Sequence, residues 1–109
     1  MSHIRLYPEA REVEVRLNGE TIATTRNALR MEEGSYAPVY YVPRSDTKMD
    51  RLERSAHRTH CPYKGDASYF SIAGGPQDAA WSYETPLGDV AAIQERLAFY
   101  PDKVEIIVR

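Results

Sequence analysis

Val13, Val15 and Leu17 alternate with Glu12, Glu14 and Arg16, and the next two residues are Asn18-Gly19. Period-two alternation is what a strand with one buried and one solvated face requires, because successive side chains point to opposite sides. Asn-Gly tolerates the positive φ angles of a tight hairpin turn better than almost any other dipeptide. Residues 20–25, with Ile22 and three β-branched threonines, then supply the return strand. A chain that opens on such a hairpin must find further strands to cover its apolar face, since two strands alone are marginal in water.

Those strands are legible downstream. Residues 28–32 read as a third strand ending in a turn at Glu33-Gly34, and residues 39–42 as a short strand between Pro38 and Pro43, suited to a sheet edge. Ser45 or Asp46 is placed to cap a helix running to about Arg54, with Met49 and Leu52 on one face. The Cys61 segment reads as a loop: Pro62 biases Cys61 toward extended backbone and Gly65 allows a turn. Residues 67–73 and 79–83, separated by Gly74-Gly75-Pro76, read as a second hairpin with a longer loop. A short helix over 89–95, a strand over 97–100 and a last strand over 104–108 complete the chain. The expected fold is mainly β, a small antiparallel two-sheet domain with one or two short helices.

With 109 residues the chain suits a single domain over 1–109, large enough for a core without disulfides. Fourteen basic against sixteen acidic residues give a net charge of -2, which argues against a nucleic-acid partner. No apolar run approaches membrane-spanning length, and the N-terminal residues lack the apolar stretch of a signal peptide. The single cysteine fits a reducing compartment. The expectation is a soluble, cytoplasmic protein with no membrane partner.

Reactive side chains concentrate in residues 58–69, where Cys61 stands beside His60 and close to Lys64. Nearby positive charge favours the thiolate, so Cys61 is the candidate catalytic residue, with a buried small hydrophobe as the plainer alternative. Lys64-Gly65 could grip an anion through the ammonium and an approachable backbone N–H, or form a turn with a solvated lysine. Arg26, directly after a threonine-rich strand, is the preferred second cation, the alternative being plain exposure. Among eight tyrosines, Tyr63 and Tyr83 are the preferred pocket walls, and Trp81 joins them as wall or core. His57, His60 and Cys61 offer zinc-compatible atoms but lack a fourth ligand at a recognised spacing, so no metal is assigned.

Three segments carry a resemblance: residues 20–29 leading to Tyr40-Tyr41-Val42-Pro43-Arg44-Ser45-Asp46; residues 59–69 around Cys61-Pro62-Tyr63-Lys64-Gly65; and Ala80-Trp81-Ser82-Tyr83-Glu84-Thr85-Pro86 with Ala98-Phe99-Tyr100 beyond. Together they resemble the domain-of-unknown-function family 427 (DUF427), from about Val13 to Val104. The resemblance implies a β-tent-like fold, similar to that of several zinc-binding and methionine sulfoxide-reducing domains, and bacterial occurrence. It implies no established activity. The nucleotidyltransferase-like label sometimes given to the family calls for a Gly-Ser phosphate contact and paired carboxylates for magnesium. Gly34-Ser35 is present, but no Asp-x-Asp or Asp-x-Glu pair follows.

Two functions are compatible with these features. In one, a small polar or anionic ligand occupies a cleft around the Cys-Pro-Tyr-Lys-Gly segment, lined by Cys61, Tyr63, Lys64, Arg26, Trp81 and Tyr83, with no metal or nucleotide signature. In the other, the aromatic strands form a non-catalytic interaction or homodimer surface.

Overall fold

The computed structural model describes residues 3–109. In chain order its strands are β1 (Ile4–Glu9), β2 (Val13–Leu17), β3 (Glu20–Thr25), β4 (Ala28–Glu33), β5 (Val39–Tyr41), β6 (Leu52–Cys61), β7 (Gly65–Ile72), β8 (Ala80–Tyr83), β9 (Ala98–Phe99) and β10 (Glu105–Val108). The first hairpin forms as the alternation dictates: Leu17 faces Glu20 across a turn whose Asn18 and Gly19 have φ of 50° and 83°. The β2/β3 register shifts after Val15, so that Val15 faces Ala23 and Arg16 faces Thr21. Ile22 is therefore the extra residue of a bulge, and both Ile22 and Ala23 turn inward and are buried.

The fold is mainly antiparallel β, but the strands divide into three hydrogen-bonded sheets rather than the two expected: β1-β4-β5, β10-β2-β3 and β6-β7-β8-β9. The four-stranded sheet is the partition between two cores. On one side Phe70 and Ile72 of β7, Ala80 of β8 and Phe99 of β9 pack with Val13, Val15, Ile22 and Ala23. On the other, Ala67 and Tyr69 of β7, Tyr83 of β8 and Ala98 of β9 pack with Met31 and Tyr41. Because side chains alternate, a strand buried on both faces carries apolar or aromatic residues on both parities, as Ala67, Tyr69, Phe70 and Ile72 do, with Ser68 the buried polar exception.

The sequence reading needs four corrections. No helix runs from Ser45 to Arg54. Two single 3-10 turns, Arg44–Asp46 and Met49–Arg51, stand there, and Leu52 already belongs to β6 opposite Ile72. The Lys48 N–H donates to the Ile22 carbonyl at 2.8 Å, which holds the segment against β3; Met49 and Leu52 share a core without sharing a helix face. Asp46 is not a cap: its carboxylate accepts the Thr25 hydroxyl at 2.7 Å. The expected helix at 89–95 is a 3-10 stretch, Gly88–Ile93, which buries Val90 and Ile93.

The third correction concerns Cys61, which lies not in a loop but at the end of a ten-residue strand. Residues 53–60 of that strand are almost all exposed, so no inside-outside pattern marks it. Fourth, residues 28–32 do form a strand, but β4 pairs with β1 and β5 instead of continuing from β3. The β1 strand escaped notice because Pro8 argues against a sheet position. At the sheet edge the missing N–H costs nothing. Among the described residues no helix is long and apolar enough to cross a membrane.

Candidate functional site

Strand parity builds the site. Val39 and Tyr41 of β5, Tyr69 of β7, and Trp81 and Tyr83 of β8 occupy alternate positions of their strands and all belong to the second core. Tyr69 stands directly opposite Trp81, while the residues opposite Tyr83 and Trp81 on the flanking strands are alanines, Ala67 and Ala98. A cavity of about 210 Å³ is lined by Val39 and these aromatics together with Met31, Glu33, Tyr36, Ala37, Lys64 and Tyr100.

The rings are ordered by one another. Trp81 and Tyr100 lie tilted at 42° with centroids 4.5 Å apart, and Tyr41 meets Trp81 edge-on at 6.4 Å. The indole N–H donates weakly to the Tyr41 hydroxyl at 3.4 Å, and Tyr69 exchanges a hydrogen bond with Thr59 at 2.9 Å. Burial pushes the phenols of Tyr41, Tyr83 and Tyr100 well above their ordinary value. They remain neutral O–H groups throughout the physiological range. The cavity wall holds one ion pair, Lys64 Nζ to Glu33 Oε1 at 2.8 Å, joining the β6–β7 turn to the end of β4.

Lys64 reaches this position because its turn is pinned. The Leu87 N–H donates to the Lys64 carbonyl at 3.0 Å. Gly65 has φ of 109°, and a Cβ there would meet the Thr85 carbonyl at 3.3 Å. Glycine is the residue that permits both the backbone conformation and the close approach.

Of the six candidates, Lys64, Trp81 and Tyr83 come together around this cavity. Cys61 is half-buried and packs against the same core, but it does not line the cavity. Its sequence neighbour His60 is exposed on the opposite face of the strand, its Nδ1 2.7 Å from Asp66 Oδ1. Adjacent strand residues point apart, so the two do not form a dyad. Tyr63 is 45% exposed and contributes to a separate surface depression of about 370 Å³ with Ile4, Pro62 and Leu87. Arg26 is exposed in the turn before β4 and does not line the cavity.

A model of a domain of unknown function (DUF427) matches residues 5–109. The chain belongs to the DUF427 family. Comparison with curated proteins gives no match. The DUF427 model also bears a nucleotidyltransferase-type label. In this DUF427 domain, no three His, Cys, Asp or Glu side chains converge as a metal site among the described residues. Gly34 and Ser35 form an exposed turn beside the cavity.

Sequence reasoning missed Tyr36 and Tyr100 as walls of the cavity. The parity of Tyr41, Tyr69, Trp81 and Tyr83 is readable in hindsight, since each sits two residues from another member of the second core. Tyr36 and Tyr100 lie outside regular strands and carry no comparable signal.

Proposed function

We propose that this domain binds a small polar ligand in the aromatic cavity beside the Cys-Pro-Tyr-Lys-Gly turn, with Lys64 and Glu33 as its ionic element. The observation that supports this most directly is Tyr83. Its side chain is 7% exposed and lines the cavity, yet its hydroxyl has no hydrogen-bond partner among the described residues. The hydroxyl is not among the sealed polar atoms of the fold, so its donor is accessible from the cavity and free for a ligand. A ligand acceptor would satisfy it. Preformed aromatic walls with a few convergent polar groups are also the usual composition of small-molecule sites. Cys61 stands behind this wall, in a position to shape it.

A fragment screen followed by 1H–15N NMR tests the reading. Binding shifts should concentrate on Lys64, Tyr69, Trp81, Tyr83 and Tyr100. Hits that map only to other surfaces would overturn it.

A second reading has its own support. Tyr63 and Leu87, each 45% exposed, share one depression with Ile4, Pro62 and Asp89, a mixed surface suited to a second copy of the chain. Light scattering over a concentration series decides it: a monomer at all concentrations removes the homodimer.

A further inference from the structure

On the reading just given, we propose that the cavity takes an uncharged, single-ring planar heterocycle with an amide edge, its carbonyl toward the phenols of Tyr83 and Tyr41 and its N–H toward Glu33. Charge comes first. Lys64 and Glu33 are already paired at 2.8 Å, and the remaining wall groups are neutral, so the cavity as built has no net charge to offset an ion. An anion would have to take Lys64 from Glu33, and a cation would have to share Glu33 with Lys64. Either would break or weaken a pair in which both charges are already satisfied.

The hydrogen-bonding inventory points to a complementary edge. Tyr83 has no partner for its O–H. The Tyr41 oxygen accepts from Trp81, which leaves its own proton without an acceptor among the described residues. Both side chains are at least nine-tenths out of solvent. On the opposite side of the account, Glu33 uses Oε1 for Lys64, and Oε2 has no hydrogen-bond partner among the described residues. The protein thus offers two O–H donors and one carboxylate acceptor, and a ligand that satisfies all three needs an acceptor and a donor together. A cyclic amide has them on adjacent atoms.

Shape selects the ring. Trp81, Tyr100 and Tyr41 all line the cavity, so a flat ring entering it meets aromatic walls. At about 210 Å³ the cavity falls below the usual range of roughly 300–1,000 Å³ for drug-sized ligands, which suits one ring.

The test uses the intact chain and four six-membered rings: 2-pyridone, N-methyl-2-pyridone, picolinate and N-methylpyridinium. Trp81 is the only tryptophan, so its indole N–H gives a single unambiguous NMR signal in the cavity wall. We expect saturable shifts of that signal with 2-pyridone, and affinity about tenfold weaker for the N-methylated form, which lacks the N–H. The two ions should bind more weakly still. Tyr83→Phe should weaken 2-pyridone binding about tenfold without lowering the melting temperature, and Tyr41→Phe provides the same readout should that variant fold poorly. Equal binding of 2-pyridone and its N-methyl form, preference for either ion, or no saturable shift with 2-pyridone overturns the amide class. Shifts at the cavity with an ion would leave the cavity reading standing. Fragment shifts confined to other surfaces would remove both.

Discussion

The two faces of the central sheet are built from different materials. Beneath β2 and β3 the core is mostly aliphatic and small, with Val13, Val15, Ile22, Ile72, Ala79, Ala80 and Leu97 at 2% exposure or less. Beneath β4 and β5 it is rich in Tyr and Trp, and it holds the cavity. Aliphatic side chains carry nothing that must be hydrogen-bonded and can interlock until no space remains. Tyrosines carry hydroxyls that need partners, and rigid rings interlock less completely than aliphatic chains. One face therefore supplies stability, while the other keeps a polar, unfilled space.

Substitutions on the two faces should separate these roles. The largest effect is expected from Ile22→Ala, which removes a fully buried side chain at the β3 bulge. Urea denaturation should show a loss of about 2–5 kcal/mol, with ligand affinity of the folded fraction unchanged. Loss of binding at constant stability would break the division of labour.

The next effect comes from pH, through one carboxylate on the aliphatic face and the phenols on the other. Beside Phe70, Glu84 accepts hydrogen bonds from Arg54, Arg44 and Ser68, and Arg54 above all holds its carboxyl down to about 2 from an ordinary 4.5. A depressed acid stabilises the fold fully above the unfolded value and loses that contribution as pH falls toward 2. Here it is worth on the order of 2 kcal/mol after screening. The cavity phenols behave conversely. Burial raises them above the ordinary 10.0, so the unfolded chain releases protons first and stability declines as pH rises beyond 10. Glu84→Gln should reduce the acid limb of a stability profile, with Glu9, Glu14 and Glu20 supplying the rest, and leave the alkaline limb intact. A variant that alters both limbs would show that the faces are not independent.

A smaller change is expected for Tyr83→Phe: stability altered by less than about 1 kcal/mol, since no protein hydrogen bond is lost, against about tenfold weaker ligand binding. The smallest concerns Tyr36, which lines the cavity from an exposed turn at 78% exposure. Tyr36→Ala should change the unfolding free energy by no more than about 0.5 kcal/mol. Its weakening of ligand binding, read on the Trp81 indole signal, should exceed that change. An affinity indifferent to Tyr36 would shrink the site to its buried walls.

The legibility of the chain follows the same division. The β2–β3 hairpin was plain because it has one wet and one dry face, and β7 because it is dry on both. The β6 strand was invisible, since residues 53–60 extend past the core with both faces largely exposed and leave no alternation to read. The 45–54 region misled because Met49 and Leu52 reach one core from a 3-10 turn and a strand, and spacing alone cannot tell that from a helix.

At the site, Lys64, Trp81 and Tyr83 could be named from residue type and neighbourhood. Their convergence could not, because Lys64 finds Glu33 across 31 positions and Trp81 finds Tyr41 across 40.

Sequence by itself determined the mainly β class, the tight turn at Asn18-Gly19, the family and the aromatic character of β5, β7 and β8, all of which depend on residues within a few positions of one another. Tertiary structure decided the three-sheet division, the separation of Arg26 and Tyr63 from Lys64, and the pairing of Lys64 with Glu33. Those outcomes depend on which strands meet, and long-range register is written in no local pattern.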